Sequence, residues 1–383
     1  MSVTLPKGFR ASGVPAGLKS GGGPDVALVV NDGPQMAAAA VFTTNRVQAA
    51  PVKWSRHAVA DGLLQAVVLN SGGANACTGS DGFQDSATTA SRVAELIAVP
   101  TDNVAVCSTG LIGVRLPMPE LLAGVDDAVR GLSEDGGVDA ARAIMTTDTV
   151  HKEAAVTRDG WSVGGMAKGA GMLAPGLATM LVVLTTDVDV DPGTLDRALR
   201  RATLVTFDRI DSDGCMSTND TVLAMASGAS GRRIGEDELA EALTVVSQDL
   251  ALQLIGDAEG AAHDIRIEVV GAATEDDAVT VGREIARSNL FKCAIFGEDP
   301  NWGRVLSAIG VTDAEFDPDR IDVGFNGVQV CRAGQIGEDR SLVDLSGRDV
   351  HVHVDLHAGG QTATIHTNDL TYDYVKENAE YST

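Results

Sequence analysis

The apolar positions of the chain follow distinct spacings, and each spacing predicts a different kind of element. Short continuous apolar runs followed by polar or glycine-rich turns are typical of buried strands, and they lie at residues 66–69, 104–107 and 180–185. Helical spacing predicts helices at residues 195–203, 236–255 and 276–287. Strict alternation predicts half-buried strands at residues 264–270, 321–325, 350–356 and 362–366. The pattern is that of a mixed α/β protein.

The length of the chain and the order of these elements predict its domain organisation. A chain of 383 residues is too long for one ordinary core. Half-buried strands need helices on their apolar face, which favours layered sheets covered by helices. We therefore predict a larger N-terminal α/β domain at residues 1–235 and a smaller C-terminal α/β domain at residues 236–383.

Composition and charge exclude several functional classes. The formal net charge is −24 and the calculated pI is near 4.5, so the chain repels nucleic acid and anionic membrane surfaces and attracts cationic metabolites. It has neither an apolar run long enough for a membrane span nor the apolar core of a signal peptide, which predicts a cytoplasmic protein. Five widely spaced cysteines without a C-x-x-C pair predict free thiols and no metal site.

A glycine-rich segment at residues 160–178 leads directly into the apolar run that follows Thr179. Its glycines and Pro175 predict a tightly folded connection. It is not a phosphate-binding loop, because Lys168 precedes its glycine and the following segment is predicted to be a strand. From spacing alone, this segment is predicted to be a structural turn.

Several motifs of the chain resemble those of the ornithine acetyltransferase (glutamate N-acetyltransferase) family. The central one is Lys168-Gly169-Ala170-Gly171-Met172 followed by Ala178-Thr179-Met180-Leu181, which resembles the self-processing site of that family. The other matching segments occur in the family's order along nearly the whole chain, at residues 106–113, 144–149, 217–220, 257–261, 300–304 and 369–383. The chain departs from many members at Ala174-Pro175-Gly176, where they have His-Pro-Asn.

The resemblance implies a nucleophile that is released by cleavage of the Ala178-Thr179 bond. A threonine hydroxyl is almost never ionised near neutral pH and needs an adjacent base. An N-terminal α-amine, with an ordinary pKa of about 7.7 to 8.0, supplies that base without a histidine. Thr179 is therefore the expected nucleophile of a self-cleaving acyltransferase.

The resemblance also implies the remaining site residues. Thr109 and Gly110 match the family's oxyanion hole, which stabilises negative charge on the acetyl oxygen. Lys168 is the expected cation for a substrate carboxylate, and Glu259 is the expected partner of the ornithine side-chain amine. The full set of matching substrate-binding residues is Thr146, Lys168, Thr179, Glu259, Asn378 and Thr383.

The expected reaction is a ping-pong transfer of acetyl from N2-acetylornithine to glutamate, with no cofactor or metal. Some relatives also use acetyl-CoA as the donor, and the sequence leaves that activity open. The resemblance further implies a layered αββα sandwich. It also implies mature chains of residues 1–178 and 179–383, assembled as a heterotetramer with two copies of each.

Two alternatives remain at the level of sequence. A self-processing aminopeptidase-type hydrolase would use the same threonine but release the acyl group to water. A metal-binding or structural protein would be built on His351, His353, Asp355 and His357, which share one strand face. Strand neighbours on one face are nearly 7 Å apart and do not converge easily on one ion. The histidine face is therefore interpreted as solvent-facing.

Overall fold

The computed structural model describes residues 2–173 and 180–380, which divide into two compact units. Unit 1 contains residues 2–172, 180–208 and 216–254 of this part of the chain, and unit 2 contains residues 173, 209–215 and 255–380. The predicted processing site, Ala178-Thr179, and the predicted substrate residue Thr383 lie outside the described residues.

Unit 1 combines two sheets with helices. In chain order its elements are β1 (Phe9–Val14), β2 (Val26–Asn31), β3 (Ala37–Phe42), α1 (Ala50–Ala58), β4 (Ala66–Asn70), α2 (Gly79–Ile97), β5 (Val104–Ser108), α3 (Met118–Arg130), α4 (Gly137–Ala143), β6 (Lys152–Arg158), β7 (Trp161–Lys168), β8 (Leu181–Thr186), α5 (Pro192–Val205), β9 (Thr221–Ala226) and α6 (Glu236–Gly256). The first sheet has the order β1-β2-β4-β5 and the second has the order β3-β9-β8-β7-β6.

The two sheets of unit 1 share a core, which confirms the expected αββα sandwich. One set of alternating strand residues lies between the sheets and includes Val67, Leu69, Met166 and Val183. The opposite face of the first sheet, with Val68 and Val106, packs on helices α2 and α3. Helices α5 and α6 cover the second sheet, since α5 contacts β3 and α6 packs on β7.

The parallel strand pairs of unit 1 explain why continuous apolar runs predicted strands correctly. β4 pairs with β5 in parallel, and β8 pairs with β9 in parallel. Every residue of these four strands is buried, as expected when both faces of a parallel pair are covered. The predicted strands at residues 66–69, 104–107 and 180–185 are confirmed within one residue, and the predicted helix at residues 195–203 lies within the longer helix α5.

The prediction of a turn throughout residues 160–178 is wrong for Trp161–Lys168, which form the fully buried strand β7. Its glycines are there for close packing. A side chain at Gly164 would collide with the backbone of Ser2, and one at Gly165 would approach Leu184 at 2.8 Å. Glycine in a strand can mark such a close approach as well as a break.

Unit 2 is a sheet with helices on one face. Its elements are β10 (Asp264–Ala272), α7 (Glu275–Arg287), α8 (Asn289–Phe296), α9 (Trp302–Ile309), β11 (Asp322–Phe325), β12 (Val328–Arg332), β13 (Gln335–Ile336), β14 (Asp349–Asp355), β15 (Gln361–Asn368) and α10 (Tyr372–Glu380). The strand order is β13-β12-β11-β14-β10-β15. All four predicted C-terminal strands and the predicted helix at residues 276–287 are present.

The predicted domain boundary at residues 235/236 coincides with the start of α6. The structure groups this helix with unit 1 up to Leu254. The physical reason is packing, because Val246 and Leu250 of α6 lie against Gly165 of β7. No helix in residues 2–173 or 180–380 combines the length and hydropathy of a membrane span.

Candidate active site

Thr109 and Gly110 form a buried turn directly after β5. The backbone N–H of Thr109 donates to the carbonyl oxygen of Asn70 at the end of β4, and its own carbonyl accepts the N–H of Gly73 at 3.0 Å. Gly110 has a φ of +131°, and a Cβ there would lie 2.8 Å from the nitrogen of Gly73. Only glycine fits this backbone conformation and this close approach.

The turn leaves two hydrogen-bond donors unused. Within residues 2–173 and 180–380, neither the hydroxyl of Thr109 nor the N–H of Gly110 has a hydrogen-bond partner. These are the two donors that the family resemblance assigns to the oxyanion hole. A fixed pair of unpaired donors is what a developing oxyanion requires, because no reorganisation is needed when the charge appears.

Asn219 and Asp220 connect this turn to the start of β8. The side-chain amide of Asn219 donates to the carbonyl oxygens of Ser108 at 2.8 Å and Ala74 at 2.6 Å. The carboxylate of Asp220 accepts the backbone N–H of Met180 at 3.1 Å. These adjacent residues therefore contact both the residue before Thr109 and the residue after Thr179 in sequence.

The environment of Asp220 differs from that of an ordinary surface carboxyl. The residue is fully buried, and this burial raises its pKa well above the usual value, although the hydrogen bond from Met180 and the charge of Lys168 act in the opposite direction. In the sequence, Asn219 and Asp220 belong to the motif at residues 217–220, which predicts no role for either. Their contacts were missed because the spacing of a motif does not show which distant loops it touches.

A buried ionic cluster surrounds Asp148, between the predicted substrate residues Thr146 and Lys168. One carboxylate oxygen of Asp148 accepts from the ammonium of Lys152 and the N–H of Gly169, both at 2.7 Å. The other accepts the N–H of Thr146 at 2.9 Å and lies 3.8 Å from the ammonium nitrogen of Lys168. Asp148 therefore holds both predicted residues, Thr146 and Lys168, around one carboxylate.

The nearby ammonium groups of Lys152 and Lys168 keep Asp148 in its charged form. Its burial disfavours the charged form, but the ammonium groups of Lys168 and Lys152 and the hydrogen bonds it accepts hold its pKa below the usual range. The side chains of Asp148 and Lys152 have no exposed surface, and that of Lys168 is 2% exposed. One buried carboxylate is thus kept charged by two buried cations.

Glu259 and Asn378 meet in unit 2. The side-chain amide of Asn378, on α10, donates to the carboxylate of Glu259 at 3.1 Å. Helix α10 is held in place because the hydroxyl of Thr371 donates to the carbonyl of Gly260, and a side chain at Gly260 would collide with Tyr374. Two further predicted substrate residues are therefore brought together.

The cavity beside Glu259 is small and strongly charged. Its volume is about 70 Å³, and its lining includes Asp213, Glu259, Arg287 and Lys292. Burial lowers the pKa of Lys292 to about 8, while nearby aspartates oppose that shift. Both signs of charge are present, so the cavity suits a polar group rather than an apolar one.

The histidine strand β14 has the alternating faces that the sequence predicted. Val350, Val352 and Val354 are buried in the core of unit 2, and the histidines lie on the other face. His351 contacts the carboxylate of Glu268 at 2.8 Å, and the rings of His351 and His353 are 6.3 Å apart. No group of three His, Cys, Asp or Glu residues in the described chain converges as a metal site would.

Comparison with known proteins gives consistent matches along the chain. The ArgJ family model matches residues 10–383. The arginine biosynthesis bifunctional protein ArgJ of Streptomyces avermitilis is 67% identical over 382 residues and covers all of both chains. The protein of the same name from Mycobacterium leprae is 55% identical over 388 residues, covering 99% of this chain and 95% of its own.

Two solved structures also match part of the chain. An ornithine acetyltransferase complexed with ornithine, from Mycobacterium tuberculosis, is 54% identical and covers 47% of this chain and 96% of its own, with a TM-score of 0.45. The arginine biosynthesis bifunctional protein argJ of Bacillus halodurans is 36% identical and covers 51% of this chain and 97% of its own, with a TM-score of 0.49.

Proposed function

The chain belongs to the ArgJ family and is an acyltransferase of arginine biosynthesis, and we propose that it transfers acetyl from N2-acetylornithine to glutamate through Thr179. The observation that carries this proposal is the unpaired donor pair of Thr109 and Gly110. Asn219 contacts the residue before this turn and Asp220 contacts Met180, the residue after Thr179 in sequence, which supports assigning both to one site.

The reaction proceeds in two balanced steps. In the first, the Thr179 hydroxyl attacks the acetyl carbon, its proton passes to the α-amine, and the bond between the acetyl carbon and the ornithine nitrogen breaks as that nitrogen takes up the proton. In the second, the glutamate amine attacks the acetyl carbon of the acetyl-threonine ester, the bond between that carbon and the Thr179 oxygen breaks, and the proton lost by the amine passes through the α-amine to restore the hydroxyl. Thr109 and Gly110 stabilise the oxyanion in both steps.

The substrate is held at its two ends by different residues. Lys168 and Thr146 bind the α-carboxylate, an assignment supported by their common contact with Asp148 and by the affinity of an ammonium for a carboxylate. Glu259, with Asn378 and Thr383, receives the side-chain amine of ornithine. We propose no metal and no resident cofactor, and the acetyl-CoA-dependent synthesis of N-acetylglutamate is a second activity that this site would support.

The mature protein would consist of chains of residues 1–178 and 179–383, two of each, in the cytoplasm. Apportioning 39.5 kDa by length gives fragments of about 18 and about 21 kDa. Denaturing mass spectrometry of freshly purified active enzyme is expected to find both fragments, with threonine at the start of the larger one. Activity in a sample that contains only the intact chain would refute Thr179 as the nucleophile.

Product analysis separates the transferase from the hydrolase alternative. Enzyme supplied with N2-acetylornithine and glutamate is expected to form N-acetylglutamate and ornithine in equal amounts. A hydrolase would release free acetate at the same rate whether or not glutamate is present. The Thr179→Ala variant is the matched control, because it removes the nucleophile and is expected neither to cleave nor to transfer.

A further inference from the structure

We propose that Lys19 is a second carboxylate-binding cation of the acyl-transfer site, acting beside Lys168 on the α-carboxylate that both substrates share. This inference rests on the proposed function and deepens it. Lys19 belongs to none of the motifs that carry the family resemblance, and no role follows for it from sequence.

The loop that carries Lys19 is fixed by a buried aspartate. The carboxylate of Asp25 accepts the backbone N–H groups of Ala16 and Leu18 at 2.6 Å and of Lys19 at 3.2 Å. Asp25 has no exposed surface. Because three N–H groups converge on one carboxylate, the backbone around Lys19 is held in one conformation, and the direction of its side chain is set by the fold.

The side chain of Lys19 reaches the edge of the Asp148 cluster. Its ammonium donates to the carbonyl oxygens of Met145 at 2.6 Å and Pro24 at 3.0 Å. Met145 immediately precedes Thr146, whose N–H donates to Asp148. Lys19 therefore lies one residue from a predicted substrate contact and next to the carboxylate that holds Lys168.

The same loop also touches the oxyanion turn. A side chain at Gly72 would collide with Leu18, so these two backbones are in close contact. The next residue, Gly73, donates its N–H to the carbonyl oxygen of Thr109. Lys19 is thus placed between the turn that would bind the acetyl oxygen and the cluster that would bind the carboxylate. In an N-acetylated amino acid these two groups are separated by a few covalent bonds.

The ammonium of Lys19 has no ion-pair partner in the part of the chain that the structure describes. Asp25 and Asp148 favour its charged form from beyond ion-pair distance. Its half-buried position lowers its pKa, because burial disfavours the charged form. An ammonium has three donors, and two of them go to carbonyl oxygens, which leaves one for an incoming anion.

The chemistry of the two substrates identifies the group that Lys19 binds. Ornithine ends in an ammonium and glutamate ends in a carboxylate, so a cation facing the side-chain end would repel one substrate. The α-carboxylate is the anionic group that both share. Lys19 is therefore assigned to the α-carboxylate and should contribute to affinity for donor and acceptor alike.

The test compares N2-acetylornithine with its α-carboxamide in processed wild-type enzyme and in the Lys19→Gln variant. Glutamine can still donate to carbonyl oxygens but carries no charge. Wild-type enzyme should prefer the carboxylate, measured as kcat/KM for release of ornithine from one substrate and of ornithine α-carboxamide from the other. In Lys19→Gln this preference should fall by roughly 10- to 100-fold, the effect of a hydrogen bond to a charged group.

Two further variants complete the test. Lys19→Arg keeps the charge and should retain most of the preference for the carboxylate. Lys53→Met removes an exposed lysine of α1 and should leave both rate constants unchanged. Each variant is checked by circular dichroism and by mass spectrometry of its two chains, so that only folded and processed enzyme is compared.

The possible outcomes distinguish this inference from the proposed function. Equal losses of kcat/KM for carboxylate and carboxamide in Lys19→Gln would show that Lys19 only supports the loop, and the inference would be wrong. A selective loss for the carboxylate supports it. If wild-type enzyme formed no ornithine from N2-acetylornithine, the proposed function itself would fail, whatever the Lys19 variants do.

Discussion

Replacing Asp148 with asparagine should destabilise unit 1 more than any comparable change at its surface. Asp148 provides the carboxylate between Lys152 and Lys168, and all three side chains are almost completely buried. Asparagine keeps the shape but removes the charge. Its amide nitrogen would place a donor where two backbone N–H groups and the ammonium of Lys152 already donate. The variant therefore removes the negative charge that the ammonium groups of Lys152 and Lys168 share at this position.

The size of the effect follows from the burial. Removing one partner of a buried ion pair typically costs about 3–5 kcal/mol. For a unit of this size, each kcal/mol shifts the midpoint of thermal unfolding by about 2–4 °C. The Tm of unit 1 should therefore fall by roughly 6–20 °C. The matched control is Asp196→Asn, which breaks an exposed pair with Arg200 at 2.9 Å and should cost about 0.3–0.5 kcal/mol.

Calorimetry as a function of pH tests the electrostatic cause. The pKa of Asp148 is lowered in the folded protein, so its stabilising contribution is present above the unfolded pKa of about 3.9 and is lost as the pH falls through the folded value. The difference between wild type and Asp148→Asn should shrink on acidification. Adding Lys152→Met to Asp148→Asn should recover part of the loss. A Tm for Asp148→Asn equal to that of Asp196→Asn would refute the reasoning.

Two further predictions concern catalysis and acid stability. In processed Thr109→Ala enzyme, kcat and kcat/KM should fall together by about 100-fold or more in a steady-state assay. A raised KM with normal kcat would mean that Thr109 stabilises the bound substrate and the transition state equally, which contradicts a role in the oxyanion hole. Burial lowers the pKa of His366 to about 4, and Arg266 adds to that shift. The unfolded histidine, with a pKa of about 6.5, then binds more protons, so unit 2 should lose stability as the pH falls from there towards 4. His366→Gln should flatten this dependence in calorimetry, and an unchanged slope would exclude His366 as its cause.

The strands that were predicted best from the sequence are those in which every residue is buried. Every residue of β4, β5 and β8 is buried, and each strand is a continuous apolar run until its last one or two residues, so these runs are visible in the sequence. By contrast, β7 contains Gly164 and Gly165, which in the sequence predict an interruption of the strand. In the structure they allow close packing against Ser2 and α6. A sequence pattern cannot show whether a glycine ends an element or allows a neighbour to approach it.

In the candidate site, residues that are adjacent in sequence were predicted, whereas residues brought together only by the fold were not. Thr109 and Gly110 are neighbours in sequence, so one motif was enough to predict both. Asp148 stood in another motif without a role, because its partner Lys168 is contributed by a different element, twenty residues further along the chain. Lys19 belonged to no motif, and its proposed role depends on its hydrogen bond to Met145 and on the close approach of the neighbouring Leu18 to Gly72. Such contacts between distant residues are made by the fold, so no short stretch of the sequence predicts them.

The local charge at the cluster also differs from the charge of the whole chain. A net charge of −24 predicts attraction of cations, but charges on the surface are screened beyond about 8 Å at physiological salt. Lys152 and Lys168 lie in the interior around Asp148, with Lys19 at the edge. An anionic substrate group that reached these ammonium groups would interact with them where the effective dielectric constant is low and charge interactions are several times stronger than in water. Substrate binding and the stability of this cluster would then be thermodynamically linked.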